Sequence, residues 1–202
     1  MNKSPALPPC SLDELLTAVR ACRVCRGHLA HEPRPVLLAG AAARILVIGQ
    51  APGSRVHATG IPWNDPSGRR LRQWMGIADE AFYDPGKVAI IPMSFCYPGK
   101  GPGGDLPPRP ECAPLWHGAL LERLPAIRTT LLIGHYAQRY YLPSLRGTVA
   151  GRVAQWRQYS PSRFLMPHPS PRNQRWLKDH PWFEADVVPA LRAAVQDALS
   201  SD

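Results

Sequence analysis

The stretch Arg44–Leu71, RILVIGQAPGSRVHATGIPWNDPSGRRL, decides how the rest of the chain is read. Arg44–Gln50 is a short apolar run of the kind that makes a buried parallel strand. It ends in Gly49-Gln50-Ala51-Pro52-Gly53, a turn dense in the two strongest punctuating residues. In an open α/β sheet, ligands sit just beyond the carboxyl end of such a strand. The stretch therefore delivers Gln50, His57, Trp63, Asn64 and Asp65 to a sheet edge, where a ligand site is expected. A strand exit without any ligand has the same local composition, so the remainder of the chain has to decide.

Three further apolar runs have strand character: Lys87–Pro92 (KVAIIP), Arg128–Gly134 (RTTLLIG) and Arg163–Pro167 (RFLMP). Helical patterning lies between and around them. Ser11 and Glu14 have the spacing of a capping box and open a helix with Leu12, Leu15, Leu16 and Val19 on one face. Further helices are expected at Ser67–Met75, Cys112–Leu124, from Tyr136, and at about Phe183–Leu199. Tyr97–Pro110 reads as a Gly/Pro loop without a regular element, and Pro143–Ser162 is weakly patterned. Strands alternating with helices predict a three-layer α/β/α fold around a central four-stranded parallel sheet. One domain over residues 1–202 is expected, with residues 1–10 as a mobile proline-rich tail.

The chain has 202 residues, 45% of them hydrophobic, enough to bury a core and too apolar for general disorder. No apolar run approaches the roughly 20 residues that span a bilayer, and the N-terminus has no apolar signal core. A cytosolic protein without a membrane partner is expected, acting as a monomer. The net charge is +9, from 24 Lys+Arg against 15 Asp+Glu, which favours a polyanionic partner, nucleic acid first. Arginine dominates the excess, and its planar fork suits phosphate.

Five cysteines in a cytosolic chain point to metal or redox chemistry rather than disulfides. Cys22 and Cys25 form a C-x2-C pair at a helix end, and Cys96 and Cys112 bracket the Gly/Pro loop; Cys10 is the odd one out. Four such thiolates suit zinc or an iron–sulfur cluster. At the end of the fourth strand, His168 is fixed at the sheet edge, where its imidazole can donate to a developing negative charge. Ser170 is placed to bond a phosphate, and Arg172, Arg175 and Lys178 form a basic patch beside it.

GQAPG after the first strand and HPSPRN after the fourth resemble motifs one and two of the uracil-DNA glycosylase superfamily. The cysteines, spaced C-x2-C, about seventy residues, then C-x15-C, resemble its iron–sulfur branch, families four and five. The resemblance runs from Cys22 to Lys178. It implies a structural [4Fe–4S] cluster on Cys22, Cys25, Cys96 and Cys112. It also implies a DNA repair enzyme that flips a damaged base such as uracil or hypoxanthine out of DNA. Hydrolysis of the N-glycosidic bond would then leave an abasic site, with no metal needed for bond cleavage. The HPSPRN loop is expected to enter the minor groove, with Arg172 or Asn173 filling the vacated space. Arg69, Arg70, Arg72, Arg172, Arg175 and Lys178 are expected to grip phosphates.

Two departures bear on the site. Families four and one carry a carboxylate in motif one, where this chain has Gln50 and Ala51. The family-five pattern T-G-x-P-F…D-x-S-G can be laid on Thr59–Gly68 with a one-residue gap. That alignment puts Asp65 at the catalytic position and Trp63 where an aromatic ring stacks on the base. Asp65 before Pro66 is also a natural helix N-cap. The family's base-reading asparagine falls on Pro92, which leaves Asn64 or Ser94, with Trp63 and Ala51, to line the base pocket. Asp65, His168 and Gln50 are therefore the expected catalytic set, and Ser170, Arg172, Asn173 and Arg175 the expected DNA contacts. HPSPRN is also close to motif two of the single-strand-selective, broad-range glycosylases, which widens the substrate range. A protein that binds damaged DNA without excising the base, or a redox iron–sulfur protein, are the rival readings.

Overall fold

The structure, a computed structural model, describes residues 11–200; the expected tail over residues 1–10 and Cys10 lie outside the described residues. Four parallel strands, β1 (Ile45–Ile48), β2 (Val88–Ile90), β5 (Thr129–Ile133) and β6 (Arg163–Met166), form one sheet in the order β2-β1-β5-β6. β1 is paired on both sides, with Val47 opposite Ile90 and Leu131. All four β1 residues are buried, as a central strand covered by helices on both faces requires. Each expected strand is present, trimmed by one to three residues.

The outer edge of β2 is covered by the segment before β1. Leu38 and Ile90 exchange two backbone hydrogen bonds, at 3.0 and 2.6 Å, in an isolated antiparallel bridge. This removes a free edge that would invite pairing with another chain.

Helix α1 (Leu12–Arg20) opens with the expected capping box: Ser11 Oγ accepts from Glu14 N, and Glu14 Oε2 accepts from Ser11 N. Helix α3 (Pro66–Met75) buries Leu71, Trp74 and Met75 against the closing helix α9 (Val188–Ser200). α9 is preceded by a π-type turn at Phe183–Val187, and a similar wide turn at Ala113–His117 precedes α5 (Gly118–Glu122). Helix α6 (Gly134–Tyr141) begins directly at the end of β5. Four short helices escape the sequence pattern: α2 (Ser54–Thr59), α4 (Asp79–Phe82), α7 (Val149–Val153) and α8 (Gln174–Asp179). Each has four to six residues, too few for a 3.6-residue period to register. One contiguous apolar cluster runs from Leu15 on α1 to Ala198 on α9.

The expected structureless loop Tyr97–Pro110 is corrected by the structure. It contains a small antiparallel hairpin, β3 (Lys100–Gly101) with β4 (Gly104–Asp105), closed by a Leu106 N–H to Gly99 carbonyl bond of 2.9 Å. Two-residue strands built on glycine have no apolar alternation to betray them.

His117 pins the exit of β2 from the core. It is 1% exposed, with Nε2 3.1 Å from the Pro92 carbonyl and Nδ1 2.6 Å from Tyr141 Oη. The neutral ring satisfies both partners: Nε2–H donates to Pro92, and Nδ1 accepts from the tyrosine. Burial drives its pKa from 6.5 down to about 4. Between those values the unfolded chain binds the proton and the folded chain does not, so stability falls as pH drops through that window. The complete passage is worth about 3 kcal/mol. Urea denaturation at pH 7 and at pH 4.5 is expected to show this loss, and His117→Phe, though less stable at pH 7, is expected to show a smaller one.

Candidate active site at the carboxyl edge of the sheet

The carboxyl ends of β1, β2 and β6 open on one cleft of about 600 Å³. Its lining includes Gln50, Ala51, Trp63, Asp65, Tyr97, Asp105, His168, Ser170 and Arg172. Backbone hydrogen bonds hold two of the walls together: Met93 N–H to the Gly49 carbonyl at 2.9 Å and Ser94 N–H to the Gln50 carbonyl at 3.1 Å.

Trp63 is held by its own backbone. It is the one non-glycine residue with positive φ (54°) among the described residues. A left-handed conformation costs a large side chain about 1–2 kcal/mol, so the surroundings must enforce it. Two glycines make room. A Cβ on Gly68 would stand 1.7 Å from the Trp63 carbonyl oxygen, and one on Gly49 would stand 2.8 Å from the indole Cζ2. Arg72 supplies the clamp: its Nη1 donates to the Trp63 carbonyl and to Tyr83 Oη, each at 3.3 Å, while Nε meets Asp79 at 2.6 Å. The indole thereby lies over the motif-one turn, its centroid 5.6 Å from the His168 ring.

Asp65 does what its sequence context allows twice over. Its Oδ1 accepts from Gly68 N–H at 2.8 Å as the N-cap of α3, and the residue also lines the cleft. His168 Nδ1 accepts from Ser170 N–H at 3.2 Å, which assigns the ring proton of the neutral form to Nε2. Burial lowers the His168 pKa against the opposing pull of Asp65 and Asp105. The ring is thus a neutral N–H donor near pH 7.

Several expected contacts lie elsewhere. Ser94 is fully buried with its hydroxyl turned to the cysteines: Oγ donates to the Cys96 carbonyl at 3.3 Å and accepts from Cys112 Sγ at 3.8 Å. Asn64 and His57 are not among the cleft-lining residues. The His57 ring packs with those of His31 and Tyr97, with centroids 5.3 and 5.9 Å away. Gln50 lines the cleft, but its Nε2 donates to the Leu106 carbonyl at 3.3 Å and so anchors the hairpin. Asn173 Nδ2 donates to the His168 carbonyl at 2.8 Å, and Arg172 Nη1 donates to the Gly103 carbonyl at 3.4 Å. Both expected gap-fillers are therefore engaged in bracing the motif-two loop. Arg72 is buried in its ion pair, and Arg70 bonds Gln174 and the Ser170 carbonyl, so neither is a free phosphate grip. Arg69, Arg175 and Lys178 are exposed, Arg175 lying 3.7 Å from Asp179.

Tyr97 and Asp105, neither of them anticipated, also line the cleft. Tyr97 Oη donates to Asp105 Oδ1 at 3.5 Å, and Asp105 Oδ2 lies 3.5 Å from where a Cβ on Gly53 would stand.

On the far side of Ser94, Cys22, Cys25, Cys96 and Cys112 carry free thiols. Among the described residues no group of three or more His, Cys, Asp or Glu side chains is arranged to hold a metal ion. The four sulfurs nevertheless share one electrostatic neighbourhood. Burial, then Cys112, raises the Cys25 pKa to about 11; burial, then Cys112, with smaller effects of Cys25 and Cys22, raises that of Cys96 to about 12. Cys112 is raised as well, by burial first and by Cys22 and Glu111. Three buried thiols whose ionisation is opposed, with the half-buried Cys22 beside them, form a soft donor set suited to a thiolate-bound metal.

The family model described as the uracil DNA glycosylase superfamily matches residues 37–192. The chain belongs to that superfamily. The match begins before β1 and ends within α9, so it takes in the whole sheet and every cleft-forming strand exit. It includes Cys96 and Cys112 but starts after Cys22 and Cys25, so the branch within the superfamily is not part of it. Glycosylases of this superfamily typically act on deaminated bases in DNA. Among the described residues no helix is long and apolar enough to cross a membrane.

The Trp63 clamp has a direct consequence. Gly68→Ala is expected to cost about 1–3 kcal/mol, because the new methyl must displace the Trp63 carbonyl. The urea midpoint measures the loss, and near-ultraviolet circular dichroism reports the moved indole.

Proposed function

We propose that this chain is a monofunctional DNA glycosylase that flips a deaminated base, such as uracil or hypoxanthine, out of DNA and hydrolyses its N-glycosidic bond. The observation that carries this reading is the convergence of an indole face, a neutral Nε2–H donor and a carboxylate in one cleft roomy enough to admit a flipped nucleotide. A base inside a duplex must be rotated out before any side chain reaches its sugar bond, at a cost of a few kcal/mol. Trp63 offers the flipped base a rigid stacking surface, because its backbone is already locked.

Breaking the C1′–N bond builds positive charge on the sugar and negative charge on the base. The Asp65 carboxylate stabilises the first, and His168 Nε2–H donates to the second. A neutral imidazole suits the second role, since it stabilises the anion without carrying a charge into a half-buried cleft. Arg55, Lys100 and Arg172 line the cleft, and Arg69, Arg175 and Lys178 extend positive charge over the surface toward phosphates. Binding through such contacts is strongly salt-dependent.

The lack of an amide at Pro92 favours a pocket less restricted to uracil. His117 takes the Pro92 carbonyl, so that position offers the base no polar group of its own.

Cys22, Cys25, Cys96 and Cys112 would hold a [4Fe–4S] cluster with a structural role. The supporting observation is that four free thiols share one neighbourhood and that burial and mutual repulsion oppose the ionisation of Cys25, Cys96 and Cys112. A cluster held there would supply the positive charge that lets those thiolates form, and its ligands would join the end of α1 to both ends of the Cys96–Cys112 loop.

A binding protein without excision is the second reading, favoured by the absence of a carboxylate in Gly49–Gly53 and by the cap bond on Asp65. Oligonucleotides carrying uracil, hypoxanthine or xanthine separate the two. Excision is expected for at least one, in the presence of chelator, and binding without abasic product identifies the second reading. Asp65→Asn keeps a capping oxygen while removing the charge, so a rate at least about tenfold lower with unchanged stability is expected from the electrostatic role alone. For the cysteines, anaerobically purified protein is expected to be brown, with iron and sulfide that Cys25→Ser loses. Colourless protein containing zinc or no metal contradicts the cluster.

A further inference from the structure

The turn after β1, Gly49–Gly53, brings its backbone to the cleft without any acidic side chain, yet an acidic side chain stands over it. Asp105, the last residue of the hairpin, places Oδ2 3.5 Å from the Cβ position of Gly53. We propose that Asp105 is the catalytic carboxylate that activates the attacking water. The inference rests on the glycosylase reading above and deepens it.

Four observations favour Asp105 over Gln50 and Asp65. Gln50 is an amide, hence no base, and its Nε2 is engaged with the Leu106 carbonyl. Asp65 has Oδ1 engaged by the Gly68 N–H, in the orientation of a helix cap. That oxygen is occupied by the cap bond and is not free to take a proton from a water. Asp105 has only a long contact, 3.5 Å from Tyr97 Oη to Oδ1, and its Oδ2 has no hydrogen-bond partner among the described residues. Its carboxylate also acts on His168 electrostatically, as that of Asp65 does, so both acids stand near the ring that receives the leaving base.

The hairpin is braced to hold that position. Gln50 fixes Leu106 from the motif-one side, Arg172 fixes Gly103 from the motif-two side, and Tyr97 steadies the carboxylate from below. Each brace comes from a different strand exit. The glutamine of motif one thus serves to seat an acid carried elsewhere in the chain.

In the reaction the C1′–N bond breaks with its electron pair leaving on the base. The water oxygen forms the new C1′–O bond and gives its proton to Asp105. The base anion, held by His168 Nε2–H, takes a proton from solvent, and Asp105 returns its own to solvent. Asp65 keeps its charge throughout and serves the cationic sugar.

The test is single-turnover excision from a duplex carrying the base that wild-type protein removes. Asp105→Asn is expected to slow that step by about 10²- to 10³-fold. Equilibrium binding to the same duplex should be unchanged or tighter, because a negative charge facing phosphates is gone. Asp105→Glu is expected to recover part of the rate. An Asp105→Asn rate within threefold of wild type overturns the inference. So does a loss of rate accompanied by weaker DNA binding and a lower thermal midpoint, which would assign Asp105 to holding the hairpin. If wild-type protein excises none of the bases offered, the glycosylase reading itself fails and this inference with it. An active wild type with an equally active Asp105→Asn sinks this inference alone.

Discussion

Parallel pairing of β1 on both sides is the constraint on which the rest of this molecule depends. A strand bonded to two parallel neighbours and buried on both faces has to send its chain out at the same edge as theirs. With β5 in turn pairing β6 in parallel, the exits of β1, β2 and β6 are gathered at one edge without any side chain having to recruit another. The two backbone bonds from Met93 and Ser94 to Gly49 and Gln50 extend the pairing past the last sheet residues and close the gap between the first two exits. The cleft is therefore a property of the backbone, and side chains only furnish it.

That furnishing relies on backbone contacts as well. Trp63 could not lie over Gly49 if Gly49 or Gly68 carried a methyl group, and its positive φ would relax if Arg72 did not hold its carbonyl. The clamp reaches back through Asp79 and the ring faces of Phe82 and Tyr83, which lie 5.3 and 5.5 Å from the guanidinium carbon. Arg72 is thus a surface-type residue by composition and a core residue by placement. Its long apolar stem and planar head make both roles compatible.

The four strands, α1, α3 and the closing helix were legible because each repeats a period over enough residues to stand out. Trp63, Asp65 and His168 were legible as cleft residues because each follows or ends a motif at a strand exit. Ser94 was misplaced because it lies in an irregular segment after β2, where no period tells which way a side chain turns, and its hydroxyl faces Cys96 and Cys112. Arg72 and Arg70 read as a basic face, but their partners, Asp79 and Gln174, come from other elements and leave no local trace. Asp105 was hidden more deeply. Its place depends on a turn of Gly99 and Gly104 at φ 103° and 138°, and on bonds to residues 50 and 172 that no local pattern encodes.

The loop between Cys96 and Cys112 joins these themes. Its two ends carry thiols that lie in one neighbourhood with Cys22 and Cys25, so its span is set from the side away from the cleft. Its body carries Tyr97 and Asp105 into the cleft from the other side. Cys96 and Tyr97, whose ring steadies the acid, are adjacent in the chain, so a shift at the cysteines is transmitted to the cleft with little slack. The structural centre proposed at the thiols would then matter for chemistry through geometry alone. It would hold the ends of the loop from which the hairpin, braced by Gln50 and Arg172, brings a carboxylate over a turn that has none.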